Sequence, residues 1–201
     1  IEWLDGEIEV YDNPVGVMTN GPTFPWHLTN LGNWTHLTNV DQSSAASGPF
    51  DVKQPDSGIA TAALPGSSTS VGRFIRAVFY SNFTEKVADP DKAMHNLSRI
   101  MNNFDRPRAL STSPATGGGE GMKFQGIDSG NAGPPTEYTV WTNMADLSRG
   151  QFFFRSYDAF SWTSCDLSAL EEANEPRAML TSQLDALGGD GTKALLAGMG
   201  I

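Results

Sequence analysis

The stretch NPVGVMTNGPTFPWHLTNL, residues 13–31, decides how the fold is read. Small and β-branched residues run up to Thr19-Asn20, and Gly21-Pro22 then turns the chain sharply. Phe24 and Trp26 follow, with His27 beside them. The spacing predicts a strand that stops at Asn20. An asparagine in that place has two readings. It closes an Asx-type turn, or its amide is held rigidly with the NH2 directed outward, as an oxyanion hole requires. Physics alone leaves both open.

Upstream, EIEVY (7–11) and VGVMT (15–19) flank Asp12-Asn13-Pro14, which predicts a hairpin. Downstream, residues 41–58 are rich in Ser, Gly and Pro and read as a loop. In LPGSSTSVGRFIRAVFY (64–80), Ser67, Ser68 and Thr69 are capping types, and Phe74, Ile75, Val78 and Phe79 share one helical face. DPDKAMHNLSRIMNNFDRP (89–107) predicts a helix capped by Asp89, with Pro90 in its first turn and Met94, Leu97, Met101 and Phe104 at helical spacing. TGGGEG (116–121) is expected to be mobile. Residues 137–160 predict a second hairpin turning at Leu147–Gly150, and the tail 168–201 is helix-leaning, interrupted at Gly188-Gly189. Strands, helices, strands and a helical tail in that order favour α+β with layered sheets over a parallel βαβ sheet.

The 201 residues suit one domain, and residues 1–201 are expected to form part of a single one. With 13 Lys plus Arg against 23 Asp plus Glu, the net charge of −10 argues against nucleic acid and gives no polybasic signal for an anionic membrane. No apolar run approaches the ~20 residues of a spanning helix. The opening IEWLDGEIEVYDN reads as the middle of a protein, so the chain is expected to be a fragment or a processed piece. A single cysteine, Cys165, rules out an internal disulfide framework. Sequons occur at Asn33, Asn82 and Asn96, triplets that arise readily by chance.

Self-contained machinery is missing from the residues. There is no P-loop, nucleotide glycine fingerprint or nucleophile elbow, and no paired His at metal spacing, so neither cofactor nor metal is implied. His27, His36 and His95 are scattered and read as satisfied histidines. Cys165 follows a strand without a basic neighbour and reads as structural and inert. Arg73 falls in or near the first turn of its helix, where a cation opposes the dipole and calls for a nearby anion. An ordinary Asp or Glu, a reactive thiolate or a substrate carboxylate would each serve.

Four segments together resemble the choloylglycine hydrolase and penicillin V acylase family. NPVGVMTNGPTFPWHLTNLGNW resembles its strand-and-loop signature, LPGSSTSVGRFIRAVF the next one, HNLSRIMNNFDRP its intervening helix and EYTVWTNMADLSRGQFFFRSYD its late hairpin. The matches keep the family's order across most of residues 8–167. The resemblance implies an N-terminal-nucleophile hydrolase with the four-layer αββα sandwich, of which this chain is the C-terminal part. It implies a cysteine at the mature N-terminus that attacks a linear amide, with its own α-amino group handling the proton. Position by position, Asn20 matches the oxyanion-hole asparagine and Arg73 the arginine near the nucleophile, while Phe24 and Trp26 lie where members shape the substrate site.

The departures are definite. The nucleophile and its acidic neighbour are absent, Ser67 replaces a common acidic residue, and Pro25 stands where aspartate is frequent. The chain by itself is therefore expected to be inactive. Expected partners are an amide substrate with an apolar acyl part (conjugated bile salt, penicillin V or N-acyl homoserine lactone), the missing N-terminal portion, and further copies in a homo-oligomer, tetrameric by resemblance. Trp26 and His27 resemble members from Gram-negative bacteria, often periplasmic. A non-catalytic relative that binds acyl compounds is the competing reading.

Overall fold

A computed structural model of the chain describes residues 1–112, 136–171, 179–185 and 187–198. The expectation for 116–121 lies outside the described residues. The chain divides into two compact units, Ile1–Lys86 and Val87–Ile201, each built of mixed helices and sheets, as the α+β reading expects.

The first unit opens with a hairpin of β1 (Glu2–Leu4) and β2 (Glu7–Glu9), in which Trp3 faces Ile8 across the ladder. Asp5 and Gly6 join the strands at φ 50° and 93°, the left-handed pair that an Asp-Gly hairpin turn uses. This corrects the hairpin expected between 7–11 and 15–19. EIE pairs backwards, and VGVMT belongs to no strand among the described residues. The reason lies in Asn13. Its Oδ1 accepts from the amides of Val15 (3.2 Å) and Gly16 (2.9 Å), and its Nδ2 donates to the Val17 carbonyl (3.1 Å). Side-chain bonds thus occupy backbone groups that a ladder would need.

Helix α1 (Phe24–Asn30) takes Pro25 in its first turn and runs on into a 3-10 turn, Leu31–Trp34. Residues 41–58 also depart from expectation. Within that polar run, β3 (Ser44–Ser47) and β4 (Phe50–Lys53) form a hairpin around Gly48-Pro49. Gly48 has φ 60°, which suits the first position of a tight hairpin loop. The Asp41 carboxylate closes the base by accepting from the amides of Gly58 (2.6 Å) and Ala60 (2.8 Å), bonds that hold its pKa down.

Helix α2 (Ser70–Phe83) forms where the sequence predicts, with the Thr69 side chain accepting from the Gly72 amide. Its Phe74 and Ile75 join Val17 and Phe24 in the core of this unit, and Val78, Leu28 and Trp34 pack around them. Hydrophobic burial on one stripe of α2 therefore fixes where the opposite, polar side of its first turns points.

In the second unit, α3 (Pro90–Met101) is capped by Asp89, whose carboxylate accepts from the amides of Asp91 and Lys92. Met94 is its buried anchor. Strands β5 (Trp141–Asp146) and β6 (Gln151–Ser156) make the expected late hairpin. β7 (Thr163–Asp166) lies antiparallel to β6, and the short β8 (Gly189–Asp190) adds in parallel. Short helices α4 (Leu167–Glu171), α5 (Thr181–Asp185) and α6 (Thr192–Leu196) occupy the described part of the tail.

Candidate functional site

Asn20 and Arg73 are 53 positions apart and meet in the first unit. The Arg73 guanidinium donates to Asn20 Oδ1 at 2.7 Å. A guanidinium has only donors, so this contact fixes which way the amide faces: the oxygen toward Arg73, the NH2 away from it. The same guanidinium donates through Nε to the Ser68 carbonyl (3.2 Å) and through a terminal nitrogen to Ser70 Oγ (3.2 Å). These bonds hold the guanidinium over the start of α2.

The support beneath is equally specific. Arg76 is buried and donates to the carbonyls of Pro65 and Ser67, both at 2.6 Å, which anchors the loop carrying Ser68. Gly72 allows that loop to lie against the helix, because a Cβ there would stand 2.7 Å from the Ser67 carbonyl oxygen. Sequence reasoning missed both residues. Their signal was the spacing in GRFIR, which sets a second arginine one turn from the first.

On the other side, His27 is fully buried beneath the 19–23 loop. Its Nε2 lies 3.2 Å from Thr19 Oγ1, and its ring stacks on Phe74 at 4.3 Å. Burial pushes its pKa below the ordinary histidine value, against the opposing pull of the Gly21 backbone and the Glu2 charge. Gly21-Pro22 is a cis peptide. The Glu2 carboxylate accepts from the Phe24 amide at 2.9 Å and caps α1, where Thr23 contributes no side-chain cap. A residue 22 positions upstream thus ties β1 to the turn that carries Asn20.

The result is a cleft of ≈ 780 Å³ in which Asn20, Arg73 and Pro22 are joined by Glu2, Trp3 and Met18. That volume falls within the range of small-molecule pockets. Phe24 and Trp26 do not line it. Phe24 is buried in the core between Tyr11 and Phe74, and Trp26 is an exposed α1 residue set edge-on to His27. His36 is exposed and stacks on Trp34. In the second unit, Cys165 is buried on β7 opposite Phe152, and burial together with the Asp190 charge raises its thiol pKa. A thiol so placed is a poor nucleophile. Among the described residues no three His, Cys, Asp or Glu side chains converge to hold a metal.

Comparison with known proteins converges on one family. Residues 1–116 match the model of the linear amide C–N hydrolases, choloylglycine hydrolase family. The bile salt hydrolase/transferase of Lactiplantibacillus plantarum is 27% identical over 168 residues, covering 84% of this chain and 46% of that protein. The conjugated bile acid hydrolase of Lactobacillus acidophilus is 35% identical over 153 residues, covering 76% of this chain and 43% of its own length. The chain spans about half the length of the curated relatives it matches. Among solved structures, a mutant of conjugated bile acid hydrolase from Clostridium perfringens superposes with a TM-score of 0.64 at 23% identity, covering 82% of this chain and 44% of that one. Penicillin V acylase from Agrobacterium tumefaciens gives 0.57 at 24%, covering 83% and 41%. The likeness shows the N-terminal-nucleophile hydrolase fold over the matched residues.

Proposed function

The chain belongs to the choloylglycine hydrolase family of linear amide C–N hydrolases, and from that premise we propose that it carries the oxyanion-binding side of an amidase site whose nucleophile is an N-terminal cysteine outside these residues. The substrate is a linear amide with an apolar acyl part, of the conjugated bile salt, penicillin V or N-acyl homoserine lactone type. The thiolate attacks the amide carbonyl carbon, and the carbonyl π electrons move onto oxygen. Asn20 donates from Nδ2 to that oxyanion. The α-ammonium of the cysteine gives its proton to the leaving nitrogen as the C–N bond breaks. Water then cleaves the thioester, giving a proton to the now neutral α-amino group; the acyl group leaves as the carboxylic acid, and the thiolate and α-ammonium are regenerated. Arg73 holds the Asn20 amide in place and lowers the thiol pKa by favouring the anion. The N-terminal portion and a homo-oligomer, tetrameric by resemblance, belong to the same reading.

The observation that supports this most is the 2.7 Å bond from Arg73 to Asn20 Oδ1 beside an open cleft. It turns both amide hydrogens of Asn20 away from the guanidinium, and a donor fixed in advance is what stabilises a developing oxyanion. An Asx turn would direct the Asn20 oxygen to its own backbone instead.

The test begins with N-terminal sequencing and intact mass of the natural gene product. A mature chain that begins with cysteine and hydrolyses an amide of the three substrate types supports the proposal. In that protein Asn20→Ala lowers kcat by about 10²–10³-fold, the usual loss for an oxyanion donor. A mature terminus other than cysteine, or an Asn20→Ala variant with near-normal turnover, overturns it.

A further inference from the structure

The buried histidine beneath the 19–23 loop does more than fill the core. We propose that His27 is the positioning residue for Asn20: it holds both flanks of the turn against α2 and so sets where the Asn20 amide stands relative to Arg73. This rests on the amidase reading above and names the group that keeps its oxyanion donor in place.

Three contacts meet on His27. Its Nε2 lies 3.2 Å from Thr19 Oγ1, on the residue just before Asn20. Its backbone amide donates to the Thr23 carbonyl at 3.1 Å, on the far side of the turn. Its ring stacks on Phe74 at 4.3 Å and 18°, and Phe74 is the α2 residue next to Arg73. His27 is 1% exposed and Phe74 0%. The clamp is therefore internal to this unit and does not depend on what lies over the cleft.

Arg73 alone does not fix the donor. Its bond to Asn20 Oδ1 sets which way the amide faces, but a guanidinium on a rotamer-rich stem follows Asn20 wherever the turn carries it. The ring packed under the turn is what pins the turn itself.

Packing by itself does not call for histidine at this position. The Gly21 backbone pulls the ring toward its charged form, yet Nδ1 is buried and finds no hydrogen-bond partner among the described residues. A polar atom left in that state costs about 1–3 kcal/mol. Phenylalanine would lie on Phe74 without that cost. It could not supply the Thr19 contact, which the neutral imidazole makes in either tautomer because a hydroxyl both donates and accepts.

The experiment uses the full natural gene product. Its substrate is whichever of penicillin V, a glycine-conjugated bile salt and N-dodecanoyl homoserine lactone the wild type turns over fastest. His27→Phe keeps the stack and removes the Thr19 contact. It is expected to lower kcat about 10- to 100-fold, because misplacing a catalytic group by about 1 Å costs up to about 100-fold. KM should change by less than about 3-fold, since the oxyanion bond forms only in the transition state. His27→Gln, whose amide still reaches the hydroxyl, should recover most of kcat. In an Asn20→Ala background His27→Phe should cost less than about 2-fold, because it acts through a donor already gone. A merely structural role would cost the same factor in both backgrounds. Should His27→Phe fail to fold, Thr19→Val removes the other half of the contact and is read in the same two backgrounds. An undiminished kcat, a His27→Gln variant as slow as His27→Phe, or equal losses with and without Asn20 would overturn the inference. If the wild type hydrolyses none of the three amides, or Asn20→Ala turns over normally, the amidase reading fails by itself. A crystal structure of the His27→Phe protein, or of Thr19→Val in its place, then decides the role of His27. An Asn20–Arg73 contact opened beyond hydrogen-bonding distance upholds it, and one unchanged at 2.7 Å overturns it.

Discussion

Replacing Gly72 by alanine sets two opposing effects against each other, and the structure decides which one wins. Gly72 lies in the first turn of α2, where alanine is better than glycine by about 1 kcal/mol on helix propensity alone. The added Cβ, however, would stand 2.7 Å from the carbonyl oxygen of Ser67. That oxygen belongs to backbone and cannot rotate away. It also accepts the 2.6 Å bond from the buried guanidinium of Arg76. Overpacking of this kind costs about 1–3 kcal/mol, and a charge-assisted bond about 1.5–3 kcal/mol when it is lost. The net expectation is destabilisation by roughly 1.5–5 kcal/mol. For a unit spanning residues 1–86 that lowers the melting temperature by at least about 5 °C. Thermal unfolding followed by circular dichroism on the full chain measures it. The double variant Ser67→Gly with Gly72→Ala should not recover the loss, because the clash with the carbonyl oxygen remains. A Gly72→Ala protein that melts at or above the wild-type temperature would refute the reasoning, since propensity would then have won.

Other perturbations read different parts of the molecule. The folded-state pKa of His27 lies below its ordinary value of 6.5, so the unfolded chain takes up that proton first. Its contribution to stability is therefore complete above pH 6.5 and is lost as pH falls below it. His27→Gln should flatten that slope in urea titrations run across pH 5–8, and an unchanged slope would exclude the buried imidazole as its source. Asp146 has its pKa lowered to about 2 by bonds from Ser148 and Arg149, so its contribution is present above the ordinary 3.8 and disappears as pH drops toward 2. Asp146→Asn should shift acid unfolding, followed by tryptophan fluorescence, to higher pH and make it shallower across that window. Cys165 should resist a thiol-specific disulfide reagent at pH 8 in the folded chain and react at once in denaturant. Rapid labelling of the folded chain would contradict its burial.

The sequence made α2 and α3 legible because each carries its own signals: Thr69 and Asp89 at the caps and one apolar face at helical spacing. The late hairpin was legible for a similar reason, since alternation and a four-residue turn lie within one short window. The first hairpin was misread because two turn candidates competed. Asp12-Asn13-Pro14 has the commoner turn composition, yet Asn13 spends its side chain on Val15, Gly16 and Val17, while Asp5-Gly6 supplies the two left-handed residues a tight hairpin needs. The β3–β4 hairpin was missed for the opposite reason. All eight of its strand residues are exposed, and the short alternation Phe50-Asp51-Val52-Lys53 stands opposite only Ser and Ala in β3, too little apolar signal to mark a hairpin.

The site divides along the same line. Asn20 and Arg73 stand out in the sequence because their surroundings, a run closing on Gly-Pro and an arginine after helix-capping residues, are local, and the structure brings the two side chains together. What arranges them is not local. Glu2 caps α1 from 22 positions upstream, and Arg76 reaches back nine and eleven positions to carbonyls that carry no side-chain signature at all. Aromatic residues mislead for a related reason. Phe24 and Trp26 have similar chemistry, and only packing separates them: Phe74 and Tyr11 claim Phe24, while His27 sits edge-on to Trp26. A short sequence window can identify a polar group that will be held at a turn. Which apolar side chains then lie beside that group depends on contacts between segments far apart in the chain, as the burial of Phe24 against Tyr11 and Phe74 illustrates.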